Sequence, residues 1–89
     1  METREARLGR LWLRSMRRGT REMDLILGSY AERHLERMDD AALTAWEALI
    51  AEDDHMLMRW LLGVEPSPAA HAALVARVAE AAVGLTAPE

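Results

Sequence analysis

This chain predicts an all-α fold, a small compact antiparallel bundle of about five short helices, on three observations. Apolar residues recur at three- and four-residue steps in successive segments; each segment is bounded by a glycine, a proline or a capping residue; and no stretch alternates with the period of two that a strand requires. A length of 89 residues leaves room for one core, so residues 1–89 are read as a single helical domain. With 51% hydrophobic and 29% charged residues, the chain has enough apolar surface to fold rather than remain disordered.

The first helix is predicted over Arg7–Met16, where Leu8, Leu11, Trp12 and Met16 share a face and Arg10 and Arg14 fall between them. Gly19 reads as its stop in the left-handed conformation, with Arg17 and Arg18 at the negative end of the helix dipole. Thr20 or Gly19 caps a second helix over Arg21–Arg37, with Met23, Ile26, Leu27, Tyr30 and Leu35 inward. Gly28 lies inside that helix at a cost of about 1 kcal/mol, which points to close backbone packing or a bend. Asp39 or Asp40 caps a third helix that buries Leu43, Trp46, Leu49 and Ile50. Asp53 or Asp54 caps a short fourth that buries Leu57, Trp60 and Leu61 and stops at Gly63. Ser67 as cap and Pro68 at the first helical position open a fifth, carrying Leu74, Val75, Val78 and Val83 before Gly84, and residues 85–89 are expected to fray.

Several function classes drop out. There is no cysteine, so disulfides, thiolate catalysis and cysteine-based zinc or iron–sulfur sites are excluded. No apolar run is long enough to cross a bilayer and no secretory signal is visible, so a cytoplasmic protein is expected. His34 lies among Glu32 and Glu36, but residues two apart on a helix point in different directions and cannot grip one metal. His55 follows Asp53 and Asp54, which serve better as caps, and His71 is expected at the surface or an edge. Trp12, Trp46 and Trp60 each fall on an apolar helix face and read as core. Glu32, Arg33, Glu36 and Arg37 read as helix-surface ion pairs. Neither an enzyme nor a metal or cofactor of its own is expected.

Charge is unevenly spread. Residues 1–21 hold seven Arg against two Glu, and residues 22–65 hold eleven acidic residues against three Arg, within a net charge of −4. Clustered arginine suits nucleic-acid phosphates, an anionic membrane surface or an acidic protein cleft. An acidic overall balance argues against nucleic acid, and the bundle itself claims the apolar face a membrane would need. Locally, Arg17-Arg18-Gly19-Thr20-Arg21-Glu22 is also what any helix–turn–helix corner wants, so composition leaves corner and docking site both open.

The segment Arg18-Gly19-Thr20-Arg21-Glu22, continued by Met23–Leu27, and a second block from Ala48 to Gly63 together resemble the small assembly factors for the flavoprotein subunit of succinate dehydrogenase. This is the SdhE type, also called succinate dehydrogenase assembly factor 2, whose signature is Arg-Gly-x-x-Glu. The resemblance covers about residues 7–65; His55 stands where the family often has proline, and Met16 where a larger ring is frequent. It implies a protein that binds the immature flavoprotein subunit and promotes covalent attachment of FAD to a histidine of that subunit, carrying no flavin itself. The chemistry would belong to the client: the flavin methyl carbon becomes electrophilic and the client histidine attacks it. Arg17, Arg18, Gly19, Arg21, Glu22 and Asp24 would then form the client-binding surface, Gly19 by allowing close backbone approach and Arg18 by supplying positive charge. The client is the flavoprotein of succinate dehydrogenase, with fumarate reductase left open, and the free protein is expected to be a monomer. The alternative reading is a small helical nucleic-acid-binding regulator that uses the Arg-rich first helix.

Overall fold

A computed structural model describes residues 1–85, so the frayed end expected at 85–89 lies, from residue 86 onward, outside the described residues. Five α-helices and one 3-10 turn follow in order: α1 Arg4–Met16, α2 Arg21–His34, the turn Leu35–Arg37, α3 Asp40–Ile50, α4 Asp54–Leu61 and α5 Ala72–Ala81. No strand occurs among the described residues.

The first four helices start at side-chain caps. Thr3 Oγ1 accepts from Ala6 N, so α1 begins three residues before Arg7, the expected start. Thr20 caps α2 through Met23 N, Asp39 caps α3 through Ala42 N, and Asp53 caps α4 through His55 N and Met56 N. Helix α4 ends in a Schellman motif: Gly63 adopts φ 73°, Gly63 N donates to Trp60 O, and Val64 N donates to Arg59 O.

The fifth helix departs from expectation. Ser67 and Pro68 do not open it; the chain makes a tighter turn in which His71 N donates to Pro68 O, and α5 starts at Ala72. The cause is His71 itself. Its ring packs on Trp60 at 5.9 Å and its Nε2 lies 2.9 Å from Glu52 Oε2, which pins the chain before the helix begins. His71 is therefore buried rather than a surface residue. Helix α5 stops at Ala81, which leaves Val83 exposed instead of inward.

The core gathers Leu11, Met23, Ile26, Leu27, Tyr30, Leu35, Leu43, Trp46, Leu49, Ile50, Leu57, Trp60, Val75 and Val78, matching the expected inward residues of α2 and α3. At its centre Trp46 stacks on Tyr30 at 5.2 Å and donates from Nε1 to Ser15 Oγ at 2.9 Å, while Ser15 Oγ donates to Leu11 O at 2.7 Å. That chain satisfies every polar atom it buries. Because Leu11 and Ser15 form the deepest line of α1, Trp12 is turned one position away and stays 38% exposed, so only two of the three tryptophans are core residues. Leu61 is partly buried at the edge of the core. Gly28 marks a close approach: a Cβ there would lie 2.7 Å from Met16 Sδ, across the α1–α2 seam.

The expected surface pairs of α2 are absent: among the described residues no ion pair joins Glu32, Arg33, Glu36 and Arg37. Their i,i+4 neighbours carry like charge, Glu with Glu and Arg with Arg. The basic N-terminal segment instead folds onto the acidic middle. Arg7 and Arg10 bind Glu47 at 3.3 and 2.9 Å, Arg10 also binds Glu2 at 2.7 Å, and Arg4 lies 3.8 Å from Asp40. The Arg10 guanidinium is the main cause that holds the Glu2 and Glu47 carboxyls below their ordinary range, through hydrogen bonds to each.

Candidate functional site: the corner between the first two helices

The corner Arg17–Asp24 joins α1 to α2 and rests on the α3–α4 junction. After Arg17 N bonds to Leu13 O, Arg17 leaves the helix with φ −119° and ψ 82°. Gly19 is not left-handed; among the described glycines only Gly63 and Gly84 have positive φ. What ends α1 is side-chain capture of the freed N–H groups. Arg18 N donates to Asp24 Oδ1, and Gly19 N donates to Asp54 Oδ2.

Arg18 turns inward, its side chain only 9% exposed. Nε donates to Asp54 Oδ1 at 2.9 Å, Nη1 to Ile50 O at 2.7 Å and to Arg14 O at 3.2 Å, and Nη2 to Glu52 O at 3.2 Å. One guanidinium thus satisfies carbonyls at the C-terminal ends of α1 and α3 that would otherwise lack partners, a favourable place for positive charge. Asp54 sits in the first turn of α4, where the opposite dipole end favours its carboxylate. The expectation that Arg18 faces a partner with its charge does not match this geometry, because Asp54 neutralises that charge inside the fold.

Gly19 has an internal reason to be glycine. A Cβ there would fall 2.7 Å from Asp54 Oδ2, an oxygen that cannot swing away without leaving Gly19 N and straining the pair with Arg18. Asp24, half-buried, braces the same turn through Arg18 N.

Arg17, Arg21 and Glu22 form the outer side of the corner. All three are exposed and none has an ion-pair partner among the described residues. Of the seven arginines in residues 1–21, Arg4, Arg7, Arg10 and Arg18 are engaged with carboxylates, and Arg14, Arg17 and Arg21 are not. Sequence reasoning placed the corner but missed Asp54 as its counter-ion, because a capping role accounted for both members of the Asp53–Asp54 pair. The separation of 36 residues from Arg18 gives no local signal.

Nothing at the corner builds a reaction centre. No group of three or more His, Asp or Glu residues could hold a metal ion among the described residues, and no helix among them is long and apolar enough to cross a membrane. What the corner offers is a braced turn with three exposed, unpaired charges on a small helical scaffold. The comparisons with known proteins give this scaffold a family. The family described as flavinator of succinate dehydrogenase matches residues 9–82, and the chain belongs to it. The match extends past the 7–65 span of the resemblance into α5.

Relatives agree. The chain is 35% identical over 68 residues to the mitochondrial succinate dehydrogenase assembly factor 2 of Mycosarcoma maydis, covering 76% of this chain and 29% of that protein. It is 36% identical over 63 residues to the FAD assembly factor SdhE of Acetobacter pasteurianus, covering 71% and 58%. It is also 36% identical over 55 residues to the protein of the same name from Legionella pneumophila, covering 62% and 67%. Matched regions thus span less than two thirds of the first two relatives' own length. These relatives are named as assembly factors and not as enzymes, in line with the non-enzymatic expectation. No solved structure matches the chain.

Proposed function

We propose that this protein binds the flavoprotein subunit of succinate dehydrogenase and promotes covalent attachment of FAD to it, through the outer side of the α1–α2 corner. The observation that carries the reading is the division of labour within Arg17–Asp24. Arg18 and Asp24 fix the turn from inside, and Arg17, Arg21 and Glu22 stand exposed beside the bare Gly19 backbone. All six residues of the expected client-binding surface take part, three as contacts, two as braces and Gly19 as both.

The protein would act by binding one client conformation more tightly than others, the one in which the flavin methyl carbon and the accepting histidine are aligned. A ligand shifts an equilibrium only by its differential affinity for the two states, and bringing reacting groups into register removes much of the entropic part of a barrier. A pre-braced corner suits that task because it loses little freedom on docking. The reading includes a cytoplasmic location and a monomeric free protein, with fumarate reductase flavoprotein as a second possible client.

The alternative, a nucleic-acid-binding regulator, draws less support. Four of the seven N-terminal arginines are already engaged with carboxylates of the same chain, so the first helix offers phosphates no continuous basic stripe.

The test is to produce the flavoprotein subunit with and without this protein, denature it, and measure flavin fluorescence that stays with the polypeptide. Greater retained fluorescence in the presence of the protein is expected. Equal signals would overturn the proposal.

A further inference from the structure

Among the described residues, six arginines have no carboxylate partner, and they fall into two groups. Arg14, Arg17 and Arg21 surround the corner; Arg33, Arg37 and Arg77 lie at the other end of α2. The thirteen steps from Arg21 to His34 span about 20 Å of helix at 1.5 Å per residue. The second group therefore belongs to a different place on the molecule.

That place is a hollow. The end of α2, the start of α3 and the face of α5 line an open pocket of about 420 Å³. Its apolar wall includes Tyr30, Met38 and Leu74 with alanines of α3 and α5, and its polar lining is His34, Arg37, Asp39 and Arg77. Asp39 is committed as the cap of α3, where its carboxylate accepts from Ala42 N at 2.8 Å. His34 lies against Tyr30 with ring centroids 4.3 Å apart. An adjoining groove carries Arg33 beside Arg77, with Glu80 on its margin.

Arg37 and Arg77 are exposed at the rim of the pocket and have no carboxylate partner among the described residues, so both guanidinium groups are open to an anion from outside. The volume falls within the range of small-molecule sites, and the mix of an apolar wall with a few polar groups is what such sites share.

We infer that the pocket between α2, α3 and α5 binds a small organic carboxylate with an apolar body, the body against Tyr30, Met38 and Leu74 and the carboxylate held by Arg37 and Arg77. A bare inorganic anion would leave the apolar wall uncovered, and a neutral molecule would leave both guanidinium groups unanswered. Neither should compete.

The test uses the full chain, labelled with nitrogen-15 and titrated with 3-phenylpropionate, its neutral twin 3-phenylpropanamide, and inorganic phosphate. Saturable shifts at the amides of Tyr30, His34, Ala42 and Leu74 are expected for the carboxylate, with the amide and phosphate at least tenfold weaker. Arg37→Gln and Arg77→Gln should each weaken 3-phenylpropionate about tenfold, the equivalent of about 1.4 kcal/mol, with melting unchanged. Equal binding of the amide would reduce the site to an apolar hollow and overturn the inference. So would shifts centred on Arg17–Glu22, undiminished affinity in both variants, or no saturable response. Flavin attachment to the client has no bearing on these outcomes, so this inference and the proposed function fail separately.

Discussion

Arg17 and Arg18 are neighbours in the chain and opposites in the fold. Arg17 reaches solvent with no acidic partner among the described residues, whereas Arg18 is 9% exposed and serves Asp54 and three backbone carbonyls. Two identical side chains, separated by one peptide bond, thus do different jobs because the backbone turns between them. The inner one makes the corner; the outer one is free to meet a partner. It follows that a variant's effect on folding and its effect on the client should separate along this line.

The largest expected effect on stability comes from Arg18→Ala. It strips Asp54 of its counter-ion and leaves carbonyls of α1 and α3 unpaired, a loss of about 3 kcal/mol for breaking a largely buried pair. For a domain this size that lowers the melting temperature by roughly 15 °C in a thermal denaturation followed by circular dichroism. Asp54→Ala should cost a similar amount, and the double variant less than the sum. Additive losses would mean that the two residues do not act as a unit.

Gly19→Ala comes next, at about 1.5 kcal/mol in urea denaturation, the cost of pushing the Asp54 carboxylate off its hydrogen bond to Gly19 N. Its Cβ meets Asp54 Oδ2, and the loss should shrink when Asp54 is already alanine. A variant of Arg18 or Asp24, the inner braces, that changed client binding without any change in stability would blur the inner and outer roles.

A smaller effect is expected from acid. Arg10 holds the Glu47 carboxyl below its ordinary range, so the folded state binds that proton less readily than the unfolded chain does. The pair's contribution is present above the ordinary carboxylate pKa and is lost as pH falls through the lowered folded value. The stability difference between the native chain and Arg10→Gln should therefore be greatest near neutral pH and vanish in strong acid, as read from denaturation curves across pH. Both partners are about one third exposed, so the difference stays below that of either corner variant.

Arg17→Gln and Arg21→Gln should barely move stability, within about 0.5 kcal/mol, as exposed substitutions do. On the proposed reading their effect falls on the client. Covalently retained flavin in the client should fall well below that seen with the native chain, while melting curves superimpose. If both variants sustain full flavin attachment, the outer side of the corner is not the docking surface.

Much of this molecule can be read from its sequence wherever the physics is local. The inward residues of α2 and α3, the caps Thr20, Asp39 and Asp53, and the stop at Gly63 each depend on side chains within one or two turns. Misreadings arose where distant partners intervene. His71 is drawn inward by Glu52 and Trp60, which displaces the start of α5, and Ser15 is buried because Trp46 needs an acceptor. The site divides the same way. The corner's place between the first two helices is legible in Arg18-Gly19-Thr20-Arg21-Glu22, but its inside and outside are not, since only folding brings Asp54 to Arg18.

The four acceptors around Arg18 set a condition that an ammonium group cannot meet. Lysine offers three donors on a compact head, without the flat fork that spans the ends of two helices at once. Exchange of Arg18 for lysine would keep the charge and lose the joint. The arginine of the five-residue signature is thus first a requirement of shape. The fold by itself therefore demands Arg18, whereas Arg17 and Arg21 answer only to the proposed client.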